Sequence, residues 1–146
     1  MTSRPDVHTW ALELADTVSK RSRDPSTKVG AVILRPDNTV VSMGYNGFPR
    51  NVNDDESIYN DRPRKLLRTI HAELNAILTA HERLDNCTIY ISPLFPCANC
   101  AACIIQTGIK RVICRMPDGA GAKWADSFEE AKSMFKESGV DFEMHP

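Results

Sequence analysis

Residues 70–78, IHAELNAIL, and residues 94–103, LFPCANCAAC, put one histidine, one glutamate and three cysteines into runs that otherwise read as helix interior. His71, Cys97 and Cys100 make three metal ligands. A Cys2His set with one open position is a catalytic zinc arrangement, whereas a closed structural site needs a fourth protein ligand. Cys97 and Cys100 lie three apart at an expected helix start, so both sulfurs can face one side. A helix N-terminus also favours their thiolate forms, through its partial positive charge and free N–H groups. Glu73 follows His71 by two residues, a spacing that does not share a helix face. In a first turn, however, side chains tilt back toward the open N-terminal end. His71 can then hold the metal while Glu73 acts as the base beside a metal-bound water.

Cys103 continues a C-x-x-C-x-x-C rhythm that could suggest an iron–sulfur cluster. Six residues along a helix rotate it away from Cys97, and no well-spaced fourth cysteine follows. It is read as a buried small hydrophobe, as are Cys87 and Cys114 within their apolar strand patterns. His8, His81 and His145 have no ligand partner at a telling spacing and are read as surface residues.

The elements that must carry these residues follow from periodicity. A helix is expected over 6–21, started by Pro5, with Val7, Trp10, Leu14 and Val18 on its inner face. Asp24–Pro25 ends that segment. VGAVIL and TVVSMGYN, joined by RPDN, read as a β-hairpin. Residues 47–65 read as a long polar loop, of a length that often carries function. Helix returns over 70–81 with Leu74, Ile77 and Leu78 inward. CTIYIS is a strand, residues 96–106 a helix closed by Gly108, KRVICR a strand and PDGAG a loop. A helix over 126–137, ended by Gly139, leads to the strand VDFEMH. The sum is an α/β fold: a central five-stranded mixed sheet with helices on both faces.

Composition bounds the function. The chain has 146 residues, 42% hydrophobic and 25% charged, enough for one compact domain over 1–146 and against disorder. Its formal charge of −1 offers no footprint for nucleic acid. No apolar run is long enough for a membrane span, and the first residues lack the plan of a secretory signal. Five cysteines, two of them in C-x-x-C, argue against a disulfide framework and for a reducing cytoplasm.

Taken singly, His71 reads equally as a core histidine and the cysteine pair as a structural metal clip. Together they match the H-x-E…P-C-x-x-C signature of zinc nucleobase deaminases. Over residues 20–145 the chain resembles the deoxycytidylate (dCMP) deaminases of the cytidine deaminase superfamily, through SRDPSTKVGAVIL, GYNGFP, HAELNAI, LFPCANCA and IIQTGIKRVI. The resemblance implies the three-layer α/β/α cytidine-deaminase-like fold. It implies one catalytic Zn2+ on His71, Cys97 and Cys100, with Glu73 as proton shuttle, and hydrolysis of dCMP to dUMP and ammonia. Asn46 would contact sugar and base, and the backbone around Ala72 and Phe95 would hold the pyrimidine edge. It also implies a hexamer controlled by dCTP and dTTP through Gly44, Tyr45, Asn46 and Gly47. GYNGFP reads as a turn on composition alone. Residues 52–70 hold no cysteine or histidine, so a second zinc site is not expected.

A nucleotide needs a cationic cradle. KRSRDPSTK reads either as a solvated helix end or as a phosphate site; Arg23 and Ser26 are the residues favoured there. Arg115, at a strand's C-terminal end, is a second candidate, since open α/β sheets bind ligands at that edge. The alternatives are another zinc deaminase, acting on tRNA adenosine, cytosine or a nucleoside, and a non-catalytic structural zinc domain.

Overall fold

The computed structural model describes residues 3–117 and 119–145. Helix α1 (Val7–Ser19) begins at Asp6, whose carboxylate accepts the Thr9 amide at 3.0 Å, so a side-chain cap does the work expected of Pro5. Strands β1 (Gly30–Leu34) and β2 (Val40–Tyr45) form the expected antiparallel hairpin, with Asn38 in the left-handed region of its turn. The polar stretch that follows is not one loop. It contains two short helices, α2 (Glu56–Tyr59) and α3 (Arg62–Arg68). Asp61 caps α3 through the Arg64 amide, and Pro63 fits its first turn.

The rest alternates as expected: α4 (Ala72–Leu78), β3 (Thr88–Ser92), α5 (Ala98–Thr107), β4 (Arg111–Arg115), α6 (Ala125–Ser138) and β5 (Asp141–His145). Left-handed glycines, Gly108 and Gly139, end α5 and α6. Asp118 of the expected PDGAG loop lies outside the described residues. The five strands order as β2-β1-β3-β4-β5, antiparallel on the hairpin side and parallel from β3 to β5.

Helices cover both faces, as the α/β reading requires. Ala31, Ile33, Ile89, Ile91, Val112 and Cys114 join the core under α4, α5 and α6. The alternate residues Val32, Leu34, Tyr90 and Ile113 meet Ala11, Leu12 and Ala15 of α1. Strand periodicity of two therefore sends each half of β1 to a different layer.

Several expected inner faces are wrong in detail. Trp10 is 36% exposed and Leu78 64% exposed, while Ala11, Ala15, Ala72 and Ala76 are fully buried. The helices lie too close to the sheet for large side chains there. A Cβ on Gly44 would stand 2.5 Å from the Ala76 nitrogen, and one on Gly30 would be 2.7 Å from the Ser19 nitrogen. Cys103 is exposed rather than buried, on the outer side of α5, whereas Cys87 and Cys114 are buried as expected. His8 is half-buried and its Nδ1 lies 2.9 Å from the Tyr90 hydroxyl, so it is not a free surface residue.

Candidate active site

The chemistry collects where α4 and α5 begin. His71 is the N-cap of α4 and Cys97 the N-cap of α5, both with extended backbone and neither spending its side chain on capping. This removes the spacing objection for His71 and Glu73: His71 stands outside the helix, and only Glu73 follows helical geometry. The first amide of α5, on Ala98, donates to Ser127 Oγ of α6 at 2.8 Å, tying the helix start to α6. Cys100 lies one turn beyond Cys97, within ligand-atom reach of it.

His71 Nδ1 lies 3.3 Å from Cys100 Sγ and 3.5 Å from Cys97 Sγ. All three ligand atoms fall within 4.8 Å of one another. A tetrahedral zinc with ordinary Zn–N and Zn–S bonds requires N···S separations of about 3.5 Å. The donors already hold that spacing. Among the described residues no fourth histidine, cysteine or carboxylate joins the group. The donor set therefore fits zinc with a position left for a non-protein ligand.

Electrostatics support the assignment. The hydrogen bond from Cys100, followed by that from His71, holds the Cys97 thiol down to about 4. Its partner Cys100 is driven upward by the same bond and by burial, so the pair shares a proton that a divalent cation would displace. The bond to Cys97 raises His71. Glu73 is buried, and desolvation pushes it up to about 7.

His71, Glu73 and Cys97 line a cleft of about 760 Å³, open mouth included, with Cys100 fully buried. Ala72, Phe95, Asn46 and Ser26 line it too, so most of the residues singled out in the sequence converge. Asn46 is buried, and both ends of its amide bind backbone: Oδ1 accepts from Val29 N–H at 2.9 Å and Nδ2 donates to the Thr27 carbonyl at 2.9 Å. Phe95 lines the cleft, its N–H donates to Met116 Sδ at 3.4 Å, and its ring packs edge-on against Phe128, Phe135 and Phe142. Ser26 stands on a turn folded around Asp24, whose Oδ1 accepts the Ser26 and Thr27 amides at 2.8 and 3.1 Å.

Arg23 and Arg115 are not among the cleft's lining residues. Arg23 pairs with Asp54 at 2.8 Å and lies over the Tyr59 ring. Arg115 reaches Asp16 of α1 at 3.3 Å. The cleft's cations come instead from Arg62, Lys65 and Lys123, with Trp124 beside them. None of these was singled out, because RPRK and GAKW look like solvated surface. One usable signal exists: Asp61 followed by Arg-Pro is a helix start, and a helix there turns Lys65 inward.

Residues 5–116 match the sequence profile of the cytidine and deoxycytidylate deaminase zinc-binding region. The chain is 42% identical over 139 residues to an uncharacterized deaminase in the luxG 3' region of Aliivibrio fischeri, covering 92% of each. It is 38% identical over 150 residues to the deoxycytidylate deaminase of Homo sapiens, covering 95% of this chain and 81% of that protein. Its fold matches that of the dCMP deaminase from the cyanophage S-TIM5 in complex with dCMP and dUMP, with a TM-score of 0.77, 22% identity and 99% and 100% coverage. No helix among the described residues is long and apolar enough to cross a membrane.

Proposed function

The chain belongs to the cytidine and deoxycytidylate deaminase family, and on that premise we propose that it hydrolyses dCMP to dUMP and ammonia. The observation that carries this reading is the convergence of His71, Cys97 and Cys100 at metal-ligand spacing, beside a cleft that His71, Cys97 and the buried Glu73 line. Zinc held by those three residues supplies the Lewis acidity that makes water a nucleophile near neutral pH. Glu73 handles the protons: it accepts one from the attacking water and passes it to ring N3, then accepts the proton of the new C4 hydroxyl and delivers it to the amine as the C4 carbonyl forms and the C–N bond breaks. The first-turn N–H groups of α4, at Ala72, which have no acceptor within their own helix, and the backbone at Phe95 hold the pyrimidine edge. Asn46, immobilised by its two backbone bonds, keeps one N–H and one lone pair for the sugar.

Control by dCTP and dTTP through residues 44–47 has a short mechanical route. Gly44 lies directly under α4, and the Tyr45 carbonyl accepts from the Asn75 side-chain Nδ2 at 2.8 Å. Gly47 exchanges two backbone hydrogen bonds with Ile70, the residue before His71. A nucleotide that shifts this strand end would act on both the metal ligand and the base. Exposed Met43, Leu66, Leu67 and Leu78 supply apolar surface for a homo-oligomer, read as a hexamer. Five free thiols suit a reducing cytoplasm.

Ammonia release measured across cytosine, cytidine, dCMP, dCTP and tRNA tests the reading. The expected result is the highest kcat/KM for dCMP, and a loss of about 10²–10⁴-fold in Glu73→Gln with zinc retained. Absence of dCMP turnover in the zinc-loaded protein, or full activity of Glu73→Gln, overturns it.

A further inference from the structure

Lys65 is 4% exposed, an unusual position for an ammonium. Its Nζ donates to Asp24 Oδ1 at 3.1 Å and to Ser26 Oγ at 3.0 Å. An ammonium has three N–H donors. Two are used, and the third has no partner among the described residues. Asp24 Oδ1 accepts three donors, from Ser26, Thr27 and Lys65, so that oxygen is fully committed. Because Ser26 Oγ accepts from Lys65, its own hydroxyl hydrogen is left to donate. A buried pair of this kind is poor as a stabiliser, since apolar replacement is often neutral or better. Yet here it forms part of the wall of the catalytic cleft, together with Ser26 and Thr27.

The charges lining the cleft extend the point. Lys65 offsets Asp24, and Arg62 and Lys123 remain as further cations lining the same cleft. One spare ammonium donor, one spare hydroxyl donor and two additional cations make a receptor for a phosphate monoester, which carries close to two negative charges.

Resting on the dCMP reading above, we propose that Lys65, held by Asp24, is the specificity-determining residue that makes the enzyme select a 5′-phosphorylated substrate over the nucleoside. Asp24 acts as a positioning residue: it fixes the Ser26–Thr27 turn and the ammonium with the same oxygen.

Kinetics with dCMP and deoxycytidine on the zinc-loaded enzyme test this in wild type, Lys65→Met and the double variant Asp24→Asn/Lys65→Met. The double variant removes both charges, so neither is left buried without its partner. The expected result is a fall of about 30-fold in the ratio of kcat/KM for dCMP to that for deoxycytidine, carried by the KM for dCMP, the usual scale for losing a charged hydrogen bond. Equal losses on both substrates would mark Lys65 as structural and overturn the inference. Should neither Lys65 variant fold, Ser26→Ala, at an exposed turn, carries the test: a ratio lowered about tenfold supports the receptor and an unchanged ratio refutes it. A wild-type enzyme that does not prefer dCMP would instead sink the function proposed above, before any variant is compared.

Discussion

Gly44→Ala adds a single methyl group between β2 and α4, and the structure sets what it must do. The new Cβ would lie 2.5 Å from the Ala76 nitrogen, 2.7 Å from the Ala72 carbonyl oxygen and 2.9 Å from the Asn75 carbonyl carbon. All three are backbone atoms of one helix, so no side-chain rotation relieves the contact. Restoring ordinary separations of roughly 3.5–4 Å requires α4 to retreat by about 1 Å. Overpacking of this kind costs about 1–3 kcal/mol, or about 4–10 °C in melting temperature for a domain of this size. The helix begins at His71 and carries Glu73 in its first turn. A misplacement of about 1 Å at reacting groups costs on the order of 10²-fold in rate. Gly30→Ala is the matched control. Its Cβ would press on the backbone of α1 at Ala15 and Ser19, on the other face of the sheet, where no metal ligand or base resides. Both variants should melt lower by similar amounts, and kcat for dCMP, measured well below both midpoints, should collapse only in Gly44→Ala. If Gly44→Ala keeps wild-type kcat, or Gly30→Ala loses as much, then α4 does not set the position of the site.

Cys100→Ser should abolish zinc retention, read by elemental analysis of the purified protein, and turnover with it, because a serine hydroxyl does not supply the thiolate ligand. Stripping the wild type with a chelator should give the same inactive state, and activity should return on adding zinc; unaffected turnover after verified metal removal would refute a metal-dependent reaction. Cys114→Ser buries a hydroxyl at a fully enclosed position and should cost about 1–3 kcal/mol in denaturant unfolding. Cys103→Ser, on the exposed side of α5, should stay within about 0.5 kcal/mol, and in the native wild type Cys103 should be the first thiol to react with an aromatic disulfide reagent.

Element order was readable because the patterns were local. The β-branched runs of the hairpin, the glycines that end α5 and α6, and the proline and cysteines that open α5 each act within a few residues. The metal set was readable for a different reason: thiolates and imidazole at this spacing have few other uses. The inner faces of α1 and α4 were not readable from helix periodicity, because burial there follows distance to the sheet rather than side-chain size. Ala15 and Ala76 touch glycine-bearing strands, and Trp10 and Leu78 are turned away despite their larger apolar area. Lys65 was hidden for a third reason. Its charge suggests solvent, and only its pairing with Asp24, 41 positions earlier in the chain, makes burial tolerable.

The Ala–Gly contacts and the site share one cause. For His71 and Cys97 to meet, the starts of α4 and α5 must converge on one place, and neither may have its N-cap side chain occupied by its own helix. Helix α4 is brought in by resting its alanines on Gly44; α5 is held by Ser127 of α6, which accepts the first amide of the helix, one that an N-cap side chain does not bind. An ordinary capping residue at either position would stabilise its helix by about 1 kcal/mol. The fold forgoes that local stability twice, and in both places the side chain released is a ligand to the same point. Two separate helix starts that give up their caps in favour of each other are what a metal-binding function requires and what folding stability alone would not produce.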